Sequence, residues 1–200
     1  MISVVEQASA LIFDFDGTLV DSNPIKRQAF RRCFEDFPNH LGQILDYCYA
    51  NNHIPRWEKF RYVYEKLLKL PYTDQVESNL LRRFELETTE QIIAAPALPG
   101  AEEFLKRACI THSLGILSST PQEILLEILR RRGWVNLFEW IQGAPVHKAR
   151  WLTRFQLEQG FPGHQVLFFG DTPEDEQSAQ ESGCSFVRIS DQDQFLEMLK

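Results

Sequence analysis

The chain has 200 residues, 44% of them hydrophobic and 12% aromatic, enough for a substantial core and for one domain with an elaboration. A formal net charge of −7 and a pI near 5.3 exclude a general nucleic-acid surface, which needs an excess of Lys and Arg along one face. The longest apolar runs fall far short of a membrane span, and Met1 to Glu6 lack the basic region and long apolar segment of a secretory signal, so no membrane partner and a cytoplasmic location are expected.

The first predicted strand, Leu11 to Phe13, is an apolar run of the kind buried inside a covered parallel sheet. It delivers Asp14 and Asp16 where such a strand surfaces, with Gly17 and Thr18 next. Period-two alternation puts both carboxylates on one side and Phe15 on the other, and two like charges that close call for a shared proton or a cation. The pattern then turns helical at Asn23-Pro24, a pair suited to a helix start. Helices are predicted near Pro24 to Phe37, Leu41 to Asn51, Pro55 to Leu70 and Thr73 to Ala95, punctuated by Pro38, Pro55 and Pro71. In the third of these, within the segment Asn51 to Tyr62, Arg56 and Lys59 lie three apart on one face. They either meet a second anionic group on a ligand or form ordinary surface charge, while Trp57, Phe60 and Tyr64 read as the buried stripe.

After Pro96 to Gly100, helix and strand patterns alternate. Helices are predicted near Ala101 to Ala108, Pro121 to Arg132, Lys148 to Gln159, Pro173 to Ser182 and Gln192 to Lys200, with strands at Ser113 to Leu117, near Trp140, at Val166 to Phe169 and at Phe186 to Ile189. The fold class is therefore α/β: a Rossmann-like core with a parallel sheet covered by helices, plus an inserted all-helical domain. The first strand has no other partner and joins that sheet, so residues 1–20 and 96–200 form the core and 21–95 the insertion. In an open sheet of this type a ligand binds beyond the carboxyl ends of the strands.

The polar residues cluster at those predicted ends. Thr120 and Glu123 have capping-box spacing around Pro121, which accounts for Thr120 as a helix cap. Ser118, two residues earlier, is expected to face the pocket, where its hydroxyl and neighbouring N–H groups suit a phosphoryl oxygen; Ser119 fits either role. Lys148 opens a helix whose N-terminus already carries positive partial charge, an awkward place for a cation without an anion nearby; His147 reads as a surface or packing residue. In Gly170-Asp171-Thr172-Pro173-Glu174-Asp175 a helix start explains Glu174 well and Asp171 poorly, while Asp175 is either a first-turn acid or a partner of a metal ligand. Cys33, Cys48, Cys109 and Cys184 lack zinc-site or redox spacing and read as reduced, mostly buried residues.

Taken in order, Asp14-x-Asp16-Gly17-Thr18, Ser118, Lys148 and Gly170-Asp171-x-x-x-Asp175 resemble the motifs of the haloacid dehalogenase superfamily of hydrolases, over nearly the whole chain. The insertion is similar to that family's C1 cap, in its phosphoglycolate phosphatase-like and β-phosphoglucomutase-like branch. The resemblance implies a magnesium-dependent phosphatase of a small phosphorylated metabolite, a sugar phosphate or a phosphoglycolate-like acid. Asp14 would attack phosphorus and carry an aspartyl-phosphate, and Asp16 would serve as general acid and then base. Ser118, Ser119 and Lys148 would hold the phosphate. The resemblance further implies a Mg2+ ion bound by a carboxylate oxygen of Asp14, the backbone carbonyl of Asp16, and Asp171, with Asp175 supporting them. Asp16 disfavours carbon–halogen cleavage, because dehalogenases of the family lack a second Asp here. One departure is that Lys148 follows Gly143 by five residues, where many members carry Gly-Lys-Pro. A phosphomutase on the same core is the nearest alternative, and a catalytically silent binding or regulatory module is the other.

Overall fold

Ala10–Phe13 forms β1, whose four side chains are wholly shielded from solvent. In the computed structural model, which describes residues 2–51, 54–190 and 193–200, β1 is the middle strand of a five-stranded, all-parallel sheet. The other strands are β2 (Ser113–Pro121), β3 (Trp140–Ala144), β4 (Val166–Gly170) and β5 (Ser185–Arg188), in the order β3-β2-β1-β4-β5. Helices α1 (Ile2–Gln7), α2 (Asn23–Cys33), α3 (Leu41–Ala50), α4 (Arg56–Tyr62), α5 (Asp74–Ala94), α6 (Ala101–Ala108), α7 (Gln122–Arg131), α8 (Lys148–Gln159), α9 (Pro173–Ser182) and α10 (Gln194–Met198) complete the chain.

The chain divides into two compact units, Met1–Asp21 with Ala95–Lys200, and Ser22–Ala94. In the first unit, alternate residues of the central strands serve different faces, as a two-residue period demands. Ala10, Ile12, Val166 and Phe168 pack with Trp151, Leu152 and Phe155 of α8 and Ala179 of α9. Phe13 and Phe169, one residue further along, stack at 4.7 Å, and both meet Phe104 of α6 edge-on. The chain leaves and re-enters this unit at one place: Val20 bridges Ala97, Leu98 N donates to Leu19 O at 2.9 Å, and Asp21 N donates to Pro96 O at 3.3 Å.

The second unit is all helix, held by an aromatic centre in which Phe30 meets Phe84 at 4.8 Å and Phe60 at 5.9 Å. Several boundaries differ from expectation. α1 was not expected at all. α2 ends at Cys33 rather than Phe37, because tighter turns follow, with Phe34 N donating to Arg31 O and Phe37 N to Phe34 O. The helix expected from Pro55 to Leu70 changes to π-type winding over Val63–Leu68 and stops at Lys69 with φ of 56°, ahead of Pro71. The expected helix start at Gln192, and Asn52 and His53 of the Arg56 segment, lie outside the described residues.

Candidate active site

Asp14 N donates to Phe169 O at 2.8 Å, so Asp14 carries the β1–β4 ladder one residue past the end of β1. Alternation sends its side chain to the Ile12 side, the side covered by α8 and α9. Both helices begin there with the residues that meet it. Lys148, the first residue of α8, places Nζ 2.8 Å from Asp14 Oδ1 and 2.6 Å from Asp175 Oδ1. Those two carboxylates answer the awkwardness of a cation at a helix N-terminus.

Asp175 is fixed from its own helix. Its Oδ2 accepts from Thr172 N at 3.2 Å and from Thr172 Oγ1 at 2.6 Å, and Asp175 N donates back to Thr172 Oγ1 in a reciprocal capping box. Gly170 makes this approach possible, because a Cβ there would lie 2.5 Å from the Cβ of Asp175. Asp171 is held by its backbone and its carboxylate: Arg188 Nη1 donates to Asp171 O at 3.1 Å, and Thr18 Oγ1 reaches Asp171 Oδ1 at 3.5 Å.

Carboxylate oxygens of Asp14, Asp171 and Asp175 all lie within 4.8 Å of one another. Burial pushes the Asp14 carboxyl up to about 8; Lys148 opposes the rise, and Asp175, Asp171 and Asp16 add to it in decreasing measure. Burial alone would lower the Lys148 ammonium, but the charges and hydrogen bonds of Asp14 and Asp175 outweigh it and hold the group above its ordinary value. Three hard oxygen donors facing one ammonium leave negative charge in excess, a composition that suits a magnesium-like cation.

Asp16 stands apart from that cluster. Its Oδ2 accepts from Thr120 Oγ1 at 2.7 Å and more distantly from Ser118 Oγ at 3.5 Å, while Thr120 N donates to Ser118 Oγ at 3.1 Å. The chain turns at Gly17 (φ 81°), and the Asp16 carboxylate faces the hydroxyls of β2. The carboxylate beside Asp14 and Asp171 is instead Asp175, which joins the cluster directly. A role for the Asp16 backbone carbonyl makes no demand on its carboxylate.

The capping role expected of Thr120 is also corrected. β2 runs through it to Pro121, α7 begins at Gln122, and that helix has no side-chain cap. Period-two alternation from Ser118 was the signal, since it sets both hydroxyls on one side of the strand. Ser118 is fully buried, Ser119 is half-exposed at the strand end, and His147 is exposed.

In the helical unit, the surface reading of Lys59 is overturned: it is buried, donates from Nζ to Cys48 O at 3.1 Å, and lies over the Phe30 ring at 5.0 Å. Burial, with the charges of Lys26 and Arg56, brings its ammonium down to about 8. Arg56 stacks over Phe84 at 4.7 Å. Cys33 and Cys48 are buried, and Cys109 is exposed.

Residues 11–189 match the haloacid dehalogenase-like hydrolase family. A phosphoglycolate phosphatase of Synechococcus elongatus is 28% identical over 184 residues, covering 90% of this chain and 83% of the relative. Among solved structures, a haloacid dehalogenase-like family hydrolase from Streptococcus pneumoniae superposes with a TM-score of 0.68 at 20% identity, over 96% of this chain and 91% of that one. A hydrolase of the same superfamily from Bacillus subtilis, solved bound to magnesium, superposes with a TM-score of 0.66 at 19% identity, over 91% and 86% of the two chains. The ordered strand-end residues and the match over nearly the whole length lead to one assignment: the chain belongs to the haloacid dehalogenase-like hydrolase family.

Proposed function

We propose that the protein is a magnesium-dependent phosphatase of a small phosphomonoester, working through a phosphoryl group carried on Asp14. The division of the two aspartates supports this most directly, with Asp14 among Lys148, Asp171 and Asp175, and Asp16 among hydroxyls. Carboxylates of Asp14 and Asp171, with the Asp16 backbone carbonyl and Asp175 beside them, would hold the ion. When bound, it supplies the positive charge that lets a phosphate dianion approach these carboxylates.

An oxygen of Asp14 attacks phosphorus as the bond to the leaving oxygen breaks, and Asp16 gives that oxygen its proton. Asp16 then takes a proton from the water that attacks the aspartyl-phosphate, releasing inorganic phosphate and restoring Asp14. Lys148 offsets charge on Asp14 and on the transferring group, and Ser118 and Ser119 orient that group. Residues 21–95 act as the cap, the unit that selects substrate, and 1–20 with 96–200 form the core, the unit that carries the reaction. Within the cap, Arg56 binds a second anionic group of the substrate, whereas Lys59, buried with Nζ on Cys48 O and over Phe30, belongs to the packing of the helical unit. The Synechococcus relative, by its name, acts on one such acid.

The test is a panel of phosphorylated metabolites incubated with protein and magnesium, scored for free phosphate and for isomerised product. Phosphate release that stops in Asp14→Asn is expected. Release surviving that substitution would remove the nucleophile, and isomerisation without net release would make the protein a mutase.

A further inference from the structure

The sequence accounts for Thr120 as a helix cap, and the structure gives it another task. The residue is 2% exposed, and its Oγ1 donates at 2.7 Å to Asp16 Oδ2, closer than Ser118 Oγ at 3.5 Å. Its backbone N–H donates to Ser118 Oγ, so one residue ties the Asp16 carboxylate to the buried serine hydroxyl. The backbone is pressed from behind, since a Cβ at Gly143 of β3 would lie 2.6 Å from Thr120 O and 2.7 Å from Gln122 Cα. Gly143 N also donates to Gln122 Oε1, which fastens β3 to the start of α7. The hydroxyl is therefore mounted on backbone with little room to shift.

The need for such a mount follows from the charges nearby. The Lys148 ammonium lies on the Asp14 side and attracts any carboxylate able to turn toward it. An aspartate meant to pass a proton to a leaving group has to stay off that ammonium, and a donor on the far side keeps it there. We propose that Thr120 is the positioning residue for Asp16: its hydroxyl holds Oδ2 against β2 and so fixes the direction from which the Asp16 carboxyl gives its proton to the leaving group. This rests on the acid role proposed for Asp16.

The experiment compares kcat/KM, which reports events up to phosphoryl transfer onto Asp14, for two substrates. One is the best alkyl phosphate of the panel above, whose departing alkoxide needs a proton. The other is acetyl phosphate, whose departing carboxylate does not. Thr120→Val is expected to lower kcat/KM roughly 100-fold for the alkyl phosphate, and less than about threefold for acetyl phosphate. Thr120→Ser, which keeps the hydroxyl, is expected to retain wild-type values for both, and Thr120→Ala to repeat the valine pattern should the valine variant misfold. Equal losses on both substrates, or no loss on either, overturn the assignment. Asp16→Asn is run in parallel and should show the same leaving-group selectivity, more strongly. If Asp16→Asn shows none, the acid role fails and Thr120 falls with it; if Asp16→Asn is selective and Thr120→Val is not, only the Thr120 assignment falls.

Discussion

Each unit of the protein buries a lysine, and the two are held in opposite ways. Lys148 in the first unit lies between Asp14 and Asp175, which hold its ammonium above the ordinary range. Lys59 in the helical unit donates to a backbone carbonyl and rests on a phenylalanine ring, and burial brings it down to about 8. Burial penalises the charge of any lysine, so the partner decides its state. In one unit the surroundings require a permanent cation, and in the other they bring the amine within reach of neutrality.

The comparison can be tested hardest at Asp14. Asp14→Asn deprives Lys148 of one carboxylate and the reaction of its nucleophile, and phosphate release is expected to fall roughly 10⁴-fold or more. Mass spectrometry of a quenched turnover should then find no phosphorylated protein. Lys148→Met leaves the Asp14, Asp171 and Asp175 carboxylates without their ammonium. Turnover should drop about 10²- to 10³-fold, and urea denaturation should show a loss of about 3–5 kcal/mol. Added magnesium ions should restore part of that stability, whereas in the wild type they should raise the melting temperature and a chelator should reverse the rise.

Lys59→Met should do the reverse. Because folding lowers this group from 10.5 to about 8, the unfolded chain binds more protons between those values, and wild-type stability gains a rising contribution from pH 8 to pH 10.5. Below pH 8 the cost of the buried charge is fully present. The methionine variant should therefore be more stable than wild type at pH 7, by at most on the order of 3 kcal/mol, with the difference closing as pH rises through the window. A variant that is less stable at pH 7 would mean that the carbonyl and ring contacts outweigh the burial of charge. The smallest effect belongs to Thr172→Ala, about 1 kcal/mol for the lost cap, together with a few-fold loss of turnover as Asp175 loosens its hold on Lys148.

Residues on β1 and at helix starts were the most legible from sequence. An uninterrupted apolar run ending in Asp14 has few solutions, and a lysine opening a helix needs anions, which Asp14 and Asp175 turn out to be. Thr120 differs from expectation because Pro121 and Glu123 imitate a capping box, and a local signal cannot show that the strand continues four residues beyond Leu117. Of the two explanations offered for Asp175, the structure shows the first-turn acid, with Oδ2 in the cap, and adds a contact the sequence did not suggest, Oδ1 on Lys148. Lys59 shares a helix with Trp57 and Phe60, and its burial comes from packing near Phe30 and Cys48, which lie far off in the chain. The change to π-type winding after Tyr62 leaves the apolar spacing unbroken, so no residue announces it.

The paired crossing of Leu19 to Asp21 with Pro96 to Leu98 has a consequence for how such an enzyme diversifies. The block from Ser22 to Ala94 hangs from a single doorway whose two jambs are bonded to each other. A cassette of different length or sequence can be exchanged there while the register of β1 against β2 and β4, and with it the spacing of Asp14 from Ser118 and Asp171, is inherited intact. The strand-end residues of the first unit can thereby be kept while the inserted unit changes.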